Sequence, residues 1–159
     1  MKKAKVIHGG FDWVPLHELI TFPPRKPDHR KPILRTVRQH TEKDARGSEL
    51  FLVNHSGAPI KTIKVFSSSF TTVDDDAYFS INEEGITYHD IPDGSAVKID
   101  HFDDIYDLDY VIGFAIEIES ETLGKFQINC FGDKGGVKDM VILWETGETA
   151  RGVNLKRLE

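Results

Sequence analysis

The sequence is short of the features that mark secreted and membrane proteins. It contains a single cysteine, Cys130, so the chain cannot form an internal disulfide. No apolar run approaches the roughly 20 residues that a membrane-spanning helix needs. The amino terminus has basic residues but no apolar stretch of the length found in a secretory signal. These shortages predict a cytoplasmic protein that makes no contact with a membrane.

Motifs that would identify an enzyme are also missing. His17 and Glu18 begin like a zinc-protease helix, but position 21 is Thr21, where that motif requires a second histidine. The sequence has no P-loop, no nucleophile elbow and no G-x-G-x-x-G fingerprint. Cys130 falls on the inward side of a predicted strand, where burial blunts thiol reactivity. We therefore expect no enzymatic activity, no catalytic residues and no cofactor.

Positive charge is scarce beyond the first third of the chain. Residues 1–46 contain 11 Lys and Arg against five Asp and Glu, a net charge of +6. Residues 74–109 contain 12 acidic residues and one basic residue, Lys98, a net charge of −11. We call residues 74–109 the acidic window. Because it repels phosphate groups, we expect no nucleic-acid partner.

Strand-like patterns dominate what is present from Ser48 onward. Every second residue from 108 to 118 and from 126 to 130 is apolar, and Asp109, Glu117 and Glu119 fall on the opposite face of the first stretch, which is typical of half-buried strands. Residues 140–144 are apolar on both faces and predict a central strand. Seven or eight short strands separated by turn signals predict an all-β fold, an antiparallel β-sandwich. The predicted core includes Phe114, Ile116, Phe126, Ile128 and Val141.

Two stretches carry a resemblance to a fold type. FLVNHSGAPIKTIKV (51–65) and HDIPDGSAVKI (89–99) each place a turn rich in Gly, Pro, Ser and Asp between strand-like segments. They resemble strand–turn–strand segments of small immunoglobulin-like domains. The resemblance implies a sandwich of the immunoglobulin-like type, and it implies no active site.

The chain divides into an extended, basic, proline-containing N-terminal arm, residues 1–47, and a β-sandwich domain, residues 48–159. Residues 21–32 predict an extended segment because proline fixes its own φ and disfavours helix in the residue before it. Residues 33–47 suit a short helix that ends at Gly47. We expect the arm to pack on the domain as a structural strap. Pro24 and Pro27 also make a P-x-x-P pattern beside basic residues, which is an alternative, ligand-type role.

The densest part of the acidic window is HFDDIYDLDY, residues 101–110. Tyrosine offers flat aromatic area, and neighbouring carboxylates favour a basic partner. The sequence therefore predicts a partner-binding site made of Asp100, Asp103, Asp104, Tyr106 and Asp107. The partner is either another protein with a basic surface or the chain's own N-terminal arm, docked within one subunit or across a homo-oligomer. The competing interpretation is a solvated edge that binds nothing.

These observations favour a non-enzymatic protein-interaction module. One specific version is an acidic inhibitor or immunity-type protein that masks a basic partner. The alternative is a metal-binding domain, for calcium or zinc, with hydrolase-type activity. One version pairs His89 with His101 across a hairpin and adds Asp90, Asp93 or Asp103. The calcium version uses carboxylates alone, namely Asp103, Asp104, Asp107 and Asp109 with Asp74, Asp75 and Asp76 from another loop. Because these carboxylates lack a recognised loop spacing, we expect no tightly bound metal.

Overall fold

The computed structural model shows an all-β chain whose two antiparallel sheets pack together as a sandwich. It describes residues 4–20, 22–41, 46–73 and 76–158, and for residues 67–73 and 76–84 it describes the backbone alone. The elements, in chain order, are β1 (Val6–His8), α1 (Leu16–Leu19), β2 (Pro32–His40), β3 (Gly47–Asn54), β4 (Ile60–Val73), β5 (Asp76–Ile91), β6 (Ser95–Asp103), β7 (Val111–Ser120), β8 (Gly124–Lys134), β9 (Met140–Trp144) and β10 (Val153–Arg157). No helix in these described ranges is long and apolar enough to cross a membrane.

Each sheet has five strands. The first sheet has the order β1-β6-β3-β2-β9, and the second has the order β10-β8-β7-β4-β5. The hairpins β2–β3, β4–β5 and β7–β8 each stay within one sheet. The chain changes sheet between β3 and β4, β5 and β6, β6 and β7, β8 and β9, and β9 and β10. The predicted antiparallel sandwich is confirmed at this level.

The main core lies between the two sheets. Period-two alternation buries Phe114, Ile116 and Ile118 on β7 and Phe126, Ile128 and Cys130 on β8. From the first sheet, Leu50, Leu52, Val97 and Phe102 face them. Four of the five predicted core residues are confirmed. Val141 is wrong, because it is only half-buried, and its neighbours Ile142 and Leu143 enter the core instead.

A second apolar cluster covers the other face of the first sheet. The N-terminal segment brings Phe11 and Ile7 onto Phe51, Val53 and Ala96, with the Phe11 and Phe51 rings 6.2 Å apart. β1 pairs with β6 and holds this segment in place, with Val6 opposite Val97. Both faces of β3 are therefore largely removed from water.

An ion pair lies at the edge of this second cluster. Lys98 Nζ is 3.0 Å from Glu49 Oε2, and Lys5 Nζ is 3.1 Å from Glu49 Oε1. The Tyr88 hydroxyl, from the second sheet, donates to the Lys98 carbonyl at 2.6 Å and accepts from the Lys5 N–H at 3.2 Å. Lys98, the basic residue of the acidic window, is therefore a structural group whose charge is compensated inside the fold.

The segment that the sequence assigned to the arm contributes two strands to the first sheet. β2 lies between β3 and β9, so the helix predicted over residues 33–47 is wrong; residues 42–45 of that prediction lie outside the described part of the chain. The predicted domain boundary, between Gly47 and Ser48, falls inside β3, which pairs with β2. β9 is an edge strand of its sheet, so its predicted central position is also wrong.

Candidate protein-interaction site

The acidic stretch forms a tight loop between two strands that belong to different sheets. β6 ends at Asp103 and β7 begins at Val111. Asp103 Oδ1 accepts the backbone N–H groups of Ile105 and Tyr106, both at 2.9 Å. Asp107 Oδ2 accepts the N–H of Asp103 at 2.7 Å. These bonds fix the loop backbone, and those to Asp103 hold the pKa of its carboxyl below the usual value.

Asp104 points in the opposite direction, toward β2 and β3. Its carboxylate accepts hydrogen bonds from Ser48 Oγ and from Arg38 Nη2, the latter at 3.0 Å, and its Oδ2 lies 3.2 Å from Nδ1 of His40. Burial favours the neutral acid, but the Ser48 and Arg38 bonds and the charges of Arg38 and His40 outweigh it, so the pKa of Asp104 is lowered. Asp104 therefore anchors the loop to the first sheet.

Asp100 does not belong to the exposed surface. It lies on β6 with only 5% of its area exposed, and its Oδ1 accepts the His101 N–H at 2.8 Å. The five predicted partner-binding residues thus divide into three groups. Asp103 and Asp107 shape the loop, Tyr106 is displayed to solvent, and Asp100 and Asp104 face the protein.

The loop displays apolar side chains rather than burying them. Ile105, Tyr106, Leu108 and Tyr110 each expose more than half of their surface, and Tyr106 exposes 70%. Asp109, between two of them, is almost fully exposed and lies 3.9 Å from Lys134 Nζ. We call residues 103–110 the display loop. It combines aromatic and aliphatic area with carboxylates on a fixed backbone.

Basic side chains from the first 47 residues lie against the display loop. Arg38 pairs with Asp104 and stacks over the Phe102 ring at 4.5 Å. The Arg46 guanidinium lies 5.5 Å from the centre of the Tyr106 ring. Docking of the arm on the acidic window within one subunit was among the sequence-based expectations, but these particular contacts were not predicted, because they depend on the β2–β3 hairpin and a helix was predicted for that stretch. The excess of positive charge at the start of the chain was the available signal.

The arrangement proposed for a metal site is different from that in the structure. His89 and His101 were expected to face each other across a hairpin, but β5 and β6 lie in different sheets and do not pair. Within the described ranges, no group of three or more His, Cys, Asp or Glu side chains is arranged to hold a metal ion. Asp74 and Asp75 lie outside the described residues.

Comparison with known proteins gives no relative from which a role can be transferred. No protein-family model, no curated protein and no solved structure matches the chain.

Proposed function

We propose that the chain is a non-enzymatic protein-interaction module that presents its display loop to a partner with a basic surface. A narrower version of the proposal is an acidic inhibitor or immunity-type protein that masks such a partner. The main support for this proposal is the exposure of four large apolar side chains on one loop: Ile105, Tyr106, Leu108 and Tyr110. Clustered apolar side chains are poorly hydrated, and burial of aromatic anchors supplies much of the binding energy in protein interfaces.

The rigidity of the loop supports the proposal. The hydrogen bonds to Asp103 and Asp107 fix the backbone before any partner arrives, so binding loses less conformational entropy. The side chain of Asp109 is 92% exposed, and its ion pair with Lys134 is long, at 3.9 Å, so the carboxylate can also face a partner's Lys or Arg across the rim. Rim charges of this kind mainly speed association and favour partners of opposite sign.

The test is affinity capture from the source cells with a matched pair of variants. Tyr106→Ser with Asp109→Asn removes one exposed ring and one charge from the display loop. Phe131→Ser with Glu121→Gln removes one exposed ring and one negative charge from positions outside the loop. We expect the wild type and the second variant to retain the same basic proteins at 0.1 M salt and to release them at 1 M, where the Debye length falls to about 3 Å.

The first variant should retain several-fold less of the same proteins. Equal retention by both variants, or captured proteins without a basic surface, would contradict the proposal. Asp104 is not a suitable test position, because its replacement would break the anchor to Arg38 and unfold the loop locally.

We further propose that the sandwich is of the immunoglobulin-like type, that residues before β2 act as its basic N-terminal arm, and that the protein works in the cytoplasm. Support for the type comes from the strand order. β2-β3-β6 and β8-β7-β4-β5 follow the A-B-E and G-F-C-C′ neighbours of immunoglobulin variable domains. A buried, unpaired Cys130 suits a reducing compartment. An experimental structure and localisation of a tagged chain test these points.

A further inference from the structure

A cleft of about 560 Å³ lies where the N-terminal segment crosses the β2–β9 edge of the first sheet. Both tryptophans of the chain, Trp13 and Trp144, line it, with their rings edge to face at 5.7 Å. Val14, Leu16 and Leu19 on its rim are exposed apolar side chains. The cleft is distinct from the display loop, and the proposed function makes no use of it.

The charges in the cleft are only partly compensated. Arg30 stacks on Trp144 at 4.0 Å and makes a two-pronged ion pair with Asp28, so its charge is satisfied. Arg35 makes no ion pair with any described residue. Its Nε donates to His55, and its Nη2 donates to the Phe11 and Asp12 carbonyls. Burial of the guanidinium lowers the pKa of Arg35. An unmatched, partly buried guanidinium retains capacity to donate to an incoming acceptor.

The indole Nε1 of Trp13 is a second donor without a hydrogen-bond partner among the described residues. It is buried, so an acceptor in the cleft can reach it only if the Trp13 side chain shifts on binding. Such a shift would remove the cost of an unsatisfied buried donor. At the outer wall, Asp12 and Asp139 are exposed carboxylates without an ion pair in the described chain. The cleft therefore offers aromatic walls, unused donors and exposed negative charge.

One segment of the chain has the complementary properties. Residues 22–27, with the sequence FPPRKP, are all exposed, and Phe22 exposes 85% of its surface. Prolines have carbonyl acceptors but no N–H, so such a segment needs donors from its binding site. Arg25 and Lys26 supply positive charge for the outer carboxylates. Aromatic grooves bind proline-rich segments for these reasons, with a small entropy loss.

Symmetry favours a second copy of the chain as the source of that segment. Residues 22–27 directly precede Asp28, which lines the cleft, so the segment emerges at the rim of its own cleft without occupying it. Two rims that meet about a two-fold axis can exchange segments and make two identical contacts. We propose that the cleft is a self-association site that takes residues 22–27 of a second copy in a two-fold symmetric dimer.

Sedimentation velocity over a concentration series provides the first test. An interface made by two exchanged six-residue segments is small, so we expect reversible dimerisation with a Kd on the order of 100 μM. Phe22→Ser should weaken dimerisation about 100-fold, because each of the two contacts loses a buried ring worth about tenfold. Phe131→Ser, which removes another exposed phenylalanine ring, on β8, should leave dimerisation unchanged.

A peptide titration provides the second test and identifies the surface. The FPPRKP peptide is added to the Phe22→Ser chain. The cleft of this variant is intact, and we expect no segment of a second copy to fill it. Because both tryptophans line the cleft, tryptophan emission excited at a wavelength that tyrosine does not absorb reports on this site. We expect a saturable change, about tenfold weaker for a peptide with Glu in place of Arg25 and Lys26, and absent for a scrambled FRPKPP control.

Three results would overturn the proposal. The first is a wild-type chain that sediments as a monomer at every concentration, even where the peptide binds, because the occupant is then not a second copy. The second is dimerisation that survives Phe22→Ser but responds to Tyr106→Ser, since the display loop would then be the interface. The third is a peptide that leaves the fluorescence of the Phe22→Ser chain unchanged at millimolar concentration.

Discussion

Replacing Lys98 by methionine tests whether its ion pair with Glu49 is held out of water. The two side chains are only 9% and 12% exposed, and their charged atoms are 3.0 Å apart. Removing one partner of a buried pair costs about 3–5 kcal/mol, because the other charge stays buried and unpaired. Lys5 remains 3.1 Å from the same carboxylate, so we expect a loss of about 3 kcal/mol. In a chain of this length, that lowers Tm by about 6–12 °C.

Urea denaturation at pH 7 measures this loss against two reference variants. Lys5→Met is the matched control, because Lys5 is half exposed and an exposed pair contributes about 0–1 kcal/mol. The double variant Lys98→Met with Glu49→Leu should recover most of the stability, since replacing both partners of a buried pair by apolar groups is close to neutral.

The pH dependence gives an independent check on the same pair. Burial raises the pKa of Glu49, but hydrogen bonds from Lys98 and Lys5 outweigh it, so the folded pKa lies below the ordinary value. The pair therefore stabilises the wild type above the unfolded pKa of about 4.3, and this stability is lost as pH falls through the folded pKa. Without Lys98, burial of Glu49 pushes its pKa upward.

The stability gap between wild type and Lys98→Met should consequently narrow between pH 7 and pH 4. If Lys98→Met loses no more free energy of unfolding than Lys5→Met at pH 7, or if the gap widens in acid, the Lys98–Glu49 pair is not held out of water.

Four further predictions concern the core, a backbone position, the thiol and metals. Phe114→Ala should cost about 3–5 kcal/mol in urea denaturation, because the ring is fully buried, and a loss below about 1 kcal/mol would contradict that placement. Gly132→Ala should cost about 2–4 kcal/mol, since Gly132 has φ +83° and an added Cβ would overlap the Ile112 carbonyl oxygen; Gly57→Ala, with φ +83° in open space, should cost only about 1 kcal/mol. Burial raises the pKa of the Cys130 thiol, so a thiol reagent should react slowly with the native chain and quickly in urea; fast native reaction would refute this. Excess calcium or zinc should leave Tm unchanged, whereas a cation at one hundred times its Kd would add about 2.7 kcal/mol.

The sequence predicts the second sheet better than the first because of how each face is covered. β8 and the second half of β7, residues 116–120, alternate between buried and partly exposed side chains, because their outer faces meet water, and that pattern is readable in the sequence. On β2 the inward residues include Thr36, whose hydroxyl donates to the Lys138 carbonyl at 2.8 Å, while the outward Ile33 and Val37 are half-buried. Alternation disappears when both faces are covered, and the strand was interpreted as a helix.

The same reasoning explains the position of β9. Its residues are apolar on both faces because Met140 and Val141 line the cleft, and not because strands flank it on both sides. The partners of Asp104 and the meeting of Trp13 with Trp144 depend on contacts between residues far apart in the chain. Local composition therefore indicates the display loop but carries no signal for its anchor or for the cleft.

Covering the first sheet from outside has a consequence for biosynthesis. β1 needs β6, which emerges from the ribosome about 90 residues later, or on the order of ten seconds at typical elongation rates. During that interval Phe11, Phe51 and Val53 have no complete cluster to enter. Such late, long-range pairing is slow and leaves nascent apolar surface open to aggregation. We expect the yield of folded chain to depend on chaperone supply and on translation speed between residues 54 and 103, more than on the stability of the finished sandwich.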